Sequence, residues 1–168
     1  MSSLFNHVFI PLVILLAFSD RLGLDPKKVF ALVFFAILPD ADVIIQPHRA
    51  AFHNIFALII PLLLFILISN RRETSGIICL YLASHLTLDL FNGGISLLYP
   101  LSKDVFFVSA ELRFDLQSFT HMLEYGVRET VAVNGKGEPL VSSENTGIAV
   151  LLTLLGIILA VLRRKEKF

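Results

Sequence analysis

The sequence predicts an all-α fold: a multi-pass membrane bundle of about five transmembrane helices, with a small extracytoplasmic insertion that has room for a short β-hairpin. Three observations lead there. Of 168 residues, 55% are hydrophobic and 17% charged, against averages of about 45–50% and about 25% for soluble domains. The apolar excess is gathered into five runs, residues 4–19, 29–45, 50–70, 76–91 and 147–162, several of them close to the roughly 20 residues that cross a bilayer as a helix. Basic residues collect after the first, third and fifth runs. Together these argue against a soluble globular enzyme. A formal net charge of zero, with 14 basic and 14 acidic residues, gives no reason to expect nucleic acid as a partner.

Each element has its own justification. The first run ends in Ala17-Phe18-Ser19, which resembles a small-residue cleavage site. No Lys or Arg precedes it, and a signal peptide needs a basic leading region, so the run reads as a retained helix. At about 1.5 Å per residue the shortest run reaches only about 24 Å, which puts some helix ends at the headgroups. Arg21, Lys27 and Lys28 follow the first run, Arg71 and Arg72 the third, and Arg163, Arg164, Lys165 and Lys167 the fifth. Five alternating spans bring these clusters to one side, which the positive-inside rule makes cytoplasmic. The expected localisation is therefore the inner (cytoplasmic) membrane, with the N-terminus outside and the C-terminus in the cytoplasm.

Residues 1–168 read as a single membrane-embedded domain, with 92–146 as an extracytoplasmic insertion carrying four basic and seven acidic residues. A stretch of that length is too long for an empty loop. Its part 104–129 mixes apolar and polar residues and is expected to form short amphipathic helices on the membrane surface. Residues 131–133 and 140–142 flank Asn134-Gly135-Lys136-Gly137-Glu138 and read as a small β-hairpin. The lone Cys79 has no intrachain disulfide partner. With no tryptophan present, interfacial aromatics must be Phe, Tyr81, Tyr99 and Tyr125.

Ionisable residues inside apolar runs carry the functional signal. An Asp at the centre of a membrane helix costs about 2.5–3.5 kcal/mol on insertion scales, so such residues pair, line a cavity or hold an ion. His7 lies in the first run, Asp40 and Asp42 follow Pro39, His48 and Arg49 precede His53, and His85 stands four residues before Asp89. On the five-span topology, His7, Asp40, Asp42, His48, His53, His85 and Asp89 converge on the outer leaflet. His85 and Asp89 share one helical face, and Pro39 ends or kinks its helix so that Asp40 and Asp42 project from a turn. Imidazole plus carboxylate is a ligand set for Zn²⁺ and related divalent ions, and seven ligands suffice for one to three ions, Zn²⁺ by preference and Mn²⁺ as the alternative. Each residue also has a plainer reading: His7 as a packed, hydrogen-bonded side chain, Asp42 as a helix cap or a partner of Arg49, His85 with Asp89 as a simple pair, His48 and His121 as solvated, Arg49 as an interfacial snorkeller. The convergence outweighs any single member.

At these residues the chain resembles a known family. Asn6-His7, Leu38-Pro39-Asp40-Ala41-Asp42, His48-Arg49 with His53, His85-x-x-x-Asp89 and Gly94-Ile95-x-x-Leu98-Tyr99-Pro100 resemble the YdjM-like family, whose members are described as LexA-binding, inner-membrane-associated, metal-dependent hydrolases. The motifs run in order from His7 to Pro100. Two positions depart from the family pattern: Asn6, where members often carry Thr, and Asn54, where they often carry a small hydroxyl residue. The family is distantly similar to zinc-dependent phospholipases C. The resemblance implies hydrolysis of a phosphoester in a membrane lipid or lipid-linked substrate; LexA binding does not suit an outward-facing site and is not carried over.

The expected mechanism uses a metal-activated water, with Asp40 or Asp42 as general base and Arg49 pairing with a substrate phosphate. Two other classes stay open from the residues alone. One is an ion or proton transporter component whose His and Asp line a path. The other is a non-catalytic membrane protein braced by a structural metal.

Overall fold

The structure is a computed structural model, which describes residues 4–44, 52–115, 118–129, 150–154 and 156. Helix α1, Leu4–Leu22, follows the first apolar run. It stops at Gly23, whose φ of 65° suits the left-handed C′ position. The Leu24 amide donates to the Ser19 carbonyl at 2.8 Å and Gly23 to Asp20 at 3.4 Å, the paired bonds of a Schellman ending. Helix α2, Pro26–Ala31, starts with proline at its first position and Asp25 as N-cap, the Asp25 side chain accepting from the Lys27 amide.

The second apolar run does not make a span. Pro26 starts the helix ahead of it and Pro39 interrupts it, leaving room for only about 18 Å of helix between the two prolines at 1.5 Å per residue. The chain divides into α2, a 3-10 turn Val33–Ala36 and a 3-10 turn Leu38–Ile44. The third run is shortened at its start, where Asn54 caps a 3-10 turn Ile55–Leu58 by accepting from the Ala57 amide at 3.2 Å. Helix α3 then covers only Ile59–Leu67. Helix α4, Arg72–Phe91, is continuous.

Among the described residues, two helices are therefore long and apolar enough to cross a membrane, Leu4–Leu22 and Ser69–Phe91. The expectation of an all-α bundle with five transmembrane helices is corrected on two counts. Proline and capping residues cut the second and third runs below spanning length. In addition, the expected amphipathic helices of 104–129 are a long antiparallel hairpin, β1 Val105–Asp115 and β2 Ser118–Arg128, with Val105 opposite Arg128 and Asp115 opposite Ser118. Residues 150–154 of the fifth run are helical; the rest of that run and the hairpin expected around 134–138 lie outside the described residues.

Helices α1 and α4 run antiparallel. The chain after α1 meets the start of α4, where Glu73 accepts from the Asp25 amide at 2.6 Å and pairs with Lys28; that carboxylate holds the Lys28 ammonium above its ordinary range. At the other end, His7 meets Asp89. Between them sits a core of Leu15, Val29, Ala36, Ile77 and Tyr81. Ile77, Tyr81, His85 and Asp89 are all buried on α4, and their spacing of four forms one inward stripe.

Candidate metal centre

The broken second run creates the centre. Short 3-10 turns leave carbonyls without helical partners, and a buried carbonyl needs a donor. Two side chains of the α4 stripe supply them: the Tyr81 hydroxyl donates to the Val29 carbonyl at 2.8 Å, and His85 Nδ1 bonds the Ala36 carbonyl at 2.6 Å. A carbonyl only accepts, so Nδ1 carries the proton. In the neutral ring this leaves the lone pair on Nε2. That nitrogen points away from Ala36 at His53 Nε2, 3.1 Å distant.

Around these two nitrogens lie two carboxylates. His53 Nε2 is 3.4 Å from Asp40 Oδ1 and 3.1 Å from Asp89 Oδ2. His85 Nε2 is 3.6 Å and 3.4 Å from the same two oxygens. The four donor atoms all lie within 4.8 Å of one another. An ion with tetrahedral bonds of about 2.0–2.2 Å holds its donors about 3.3–3.6 Å apart; the five separations that involve His53 or His85, 3.1–3.6 Å, are of that size. The charges agree as well: two carboxylates, one of them buried, match the charge of a divalent cation. Asp40, His53, His85 and Asp89 therefore fit a metal ion.

His7 extends the centre on the far side of Asp89. Its Nε2 is 3.3 Å from Asp89 Oδ1, while Oδ2 faces His53 and His85, and its ring stacks on His85 with centroids 4.1 Å apart. Asp89 thus turns one oxygen to each side. His7, His53, His85 and Asp89 are buried, whereas Asp40 is 30% exposed, so the carboxylate on the 3-10 turn is the member open to the outside.

Of the seven ligands expected from sequence, the structure brings together His7, Asp40, His53, His85 and Asp89. Asp42 lies two residues on in the same 3-10 turn, its side chain outside the described residues. His48 and Arg49 lie outside them as well. His121 is in β2, opposite Leu112. Two groups at the centre escape a reading of ligand types: the Ala36 carbonyl, which has no side-chain signature, and Tyr81, whose spacing of four before His85 was the available signal. At Asn54, the departure from the family pattern serves as a cap next to the ligand His53.

Fold and centre define a class: a membrane protein with a buried histidine–aspartate metal-type cluster at one end of two antiparallel apolar helices. The chain belongs to the family described as YdjM inner membrane protein, which matches residues 1–167. It is similar to the inner membrane protein YbcI of Escherichia coli (strain K12), 31% identical over 127 residues that cover 64% of this chain and 72% of that protein. No solved structure matches significantly.

Proposed function

We propose that the protein is a membrane-bound metal-dependent hydrolase that cleaves a phosphoester bond of a lipid or lipid-linked substrate at the extracytoplasmic face. The observation that carries this reading is the gathering of Asp40, His53, His85 and Asp89, with donor atoms all within 4.8 Å of one another, at one end of the two apolar helices. Zn²⁺ suits this donor set best, with Mn²⁺ next, and the Asp89 oxygen that faces His7 offers, with that imidazole, two donors to a second ion. A divalent ion there supplies Lewis-acid chemistry, polarising a phosphoryl oxygen and lowering the pKa of water from about 15.7 to about 7.

The chain's own groups do the rest. Ala36 and the α4 backbone hold His85 in its productive tautomer. With the ion on His53, His85 and Asp89, the partly exposed Asp40 is placed to take a proton from attacking water instead of ligating, with Asp42 as the neighbouring carboxylate. Arg49 keeps its role of pairing with a substrate phosphate. A lipid headgroup already lies at the depth of a helix end, so substrate and centre meet without extraction of the acyl chains.

Orientation rests on charge. Arg21, Lys27, Lys28, Arg71 and Arg72 all stand at the end of α1 and α4 opposite the cluster. The positive-inside rule makes that end cytoplasmic and the cluster extracytoplasmic. Two antiparallel spans suffice for this orientation.

A second reading has one observation in its favour: four protein ligands make a closed set, as structural ions have. Elemental analysis of the purified, detergent-solubilised protein beside His85→Ala and Asp40→Asn, run with assays on phospholipid and soluble phosphoester substrates, separates the two. A hydrolase binds metal, turns over a phosphoester and loses both properties in His85→Ala. Metal retained through Asp40→Asn, with no turnover of any substrate by the wild type, favours the structural ion. Unchanged metal content and turnover in both variants would sink the proposal.

A further inference from the structure

The hairpin carries an apolar face in an unusual place. Directly opposed residues of an antiparallel pair share a face. The register joins Phe106 with Val127, Val108 with Tyr125 and Ala110 with Leu123 on one face, and Val105 with Arg128, Phe107 with Gly126 and Ser109 with Glu124 on the other. The first face is apolar. The second is mixed and partly covered: Val105 is buried, and the Arg128 guanidinium lies 4.6 Å from the Phe107 ring centroid. It is the apolar row that is left open, with Tyr125 76%, Leu123 64% and Val127 56% exposed.

In water such an arrangement is unfavourable. A two-stranded hairpin is marginal without something packed on its hydrophobic face, and strands of eleven residues extend about 36 Å at about 3.3 Å per residue. The base of the hairpin is tied to the cluster end of α4. Ile95 pairs with Phe106 through two bonds of 2.9 Å, the Gly94 amide donates to the Asp89 carbonyl, and Arg128 donates to the Gly93 carbonyl. Uncovered apolar side chains follow the chain from span to strand, with Phe91, Leu98 and Leu101 exposed between them. The open row is thus continuous along the chain with the apolar surface of α4, which belongs to a family of inner membrane proteins.

We propose that the hairpin β1–β2 is a membrane-surface element whose Phe106–Tyr125–Val127 face rests in the leaflet at the cluster end, with Tyr125 at headgroup depth and the Ser109–Glu124 face in water. It stands beside the metal centre and does not depend on catalysis there. Amphipathic rings such as tyrosine's favour that depth, and lipid supplies the cover the hairpin lacks.

The chain has no tryptophan, so one introduced indole reports on one position. Tyr125→Trp and Glu124→Trp, neighbours on opposite faces, are each reconstituted as the full chain into phosphatidylcholine vesicles with and without bromine on the acyl chains. Bromolipid quenching several-fold stronger at position 125 than at 124, with aqueous iodide reversing the order, is the expected result. Equal iodide quenching at both positions with no bromolipid effect would overturn the proposal. So would shielding of position 125 that disappears on dilution to one protein per vesicle, since a second copy would then be the cover. Leu123→Trp, on the apolar row, repeats the test if Tyr125→Trp does not fold.

Discussion

Asp89 is the residue on which the centre turns. One of its oxygens faces His53 and His85 and the other faces His7, so its loss is expected to remove every ion, while loss of His7 removes only what lies on its own side. Elemental analysis should show Asp89→Asn without metal and His7→Ala keeping the ion of the four-donor set. Protons compete for the same lone pairs, because histidine binds metal only when neutral and aspartate only when ionised. Metal retained through dialysis should therefore fall as the pH is lowered. Tyr81 gives the contrasting case. Tyr81→Phe leaves the buried Val29 carbonyl without its donor, which should cost about 1–3 kcal/mol in thermal unfolding, with metal content unchanged. His85→Ala is expected to lose metal as well as stability, since that ring serves both the carbonyl and the cluster.

At the level of elements, the junction of α4 and β1 is the tightest point. Gly94 has a φ of 82°, and a Cβ there would lie 2.6 Å from the Phe106 carbonyl oxygen. Left-handed backbone alone costs a residue with a side chain about 1–3 kcal/mol, and the clash adds to it. Gly94→Ala is expected to lower the melting temperature and to loosen the Ile95–Phe106 pairing, read as faster amide exchange at those two residues. The hairpin itself was legible as period-two alternation, Phe106, Val108, Ala110, Leu112, Phe114 and then Phe119, His121, Leu123, Tyr125, Val127. Reading that stretch as mixed amphipathic helix overlooked the alternation, which is the primary signal of a strand with one apolar face.

For the molecule as a whole, two antiparallel apolar helices separate a basic end from the end that carries the histidine–aspartate cluster. In a Cys79→Ser background, single cysteines at Lys27 and Ser102 should be labelled by a membrane-impermeant maleimide from opposite sides, with Ser102 reached from the extracytoplasmic side. Labelling of both from one side would remove the separation and the outward placement of the centre with it.

Much of this protein was readable one residue at a time. Composition identified a membrane chain, because apolar surface on this scale has no other solvent. The rarity of His and Asp in apolar runs picked out His7, Asp40, His53, His85 and Asp89, because an unpaired charge there is too costly to keep without a partner. Run length did not decide which runs become spans. That depended on Pro39, which interrupts the second run, and on the Asn54 cap, which starts a 3-10 turn inside the third; such local geometry overrides hydropathy. Nor does ligand type alone bring four donor atoms within 4.8 Å of one another, or fix the His85 tautomer. Both required the second run to break and fold against α4, so that its freed carbonyls met the Tyr81–His85 stripe. Such contacts join residues some fifty positions apart, and only the packed chain establishes them.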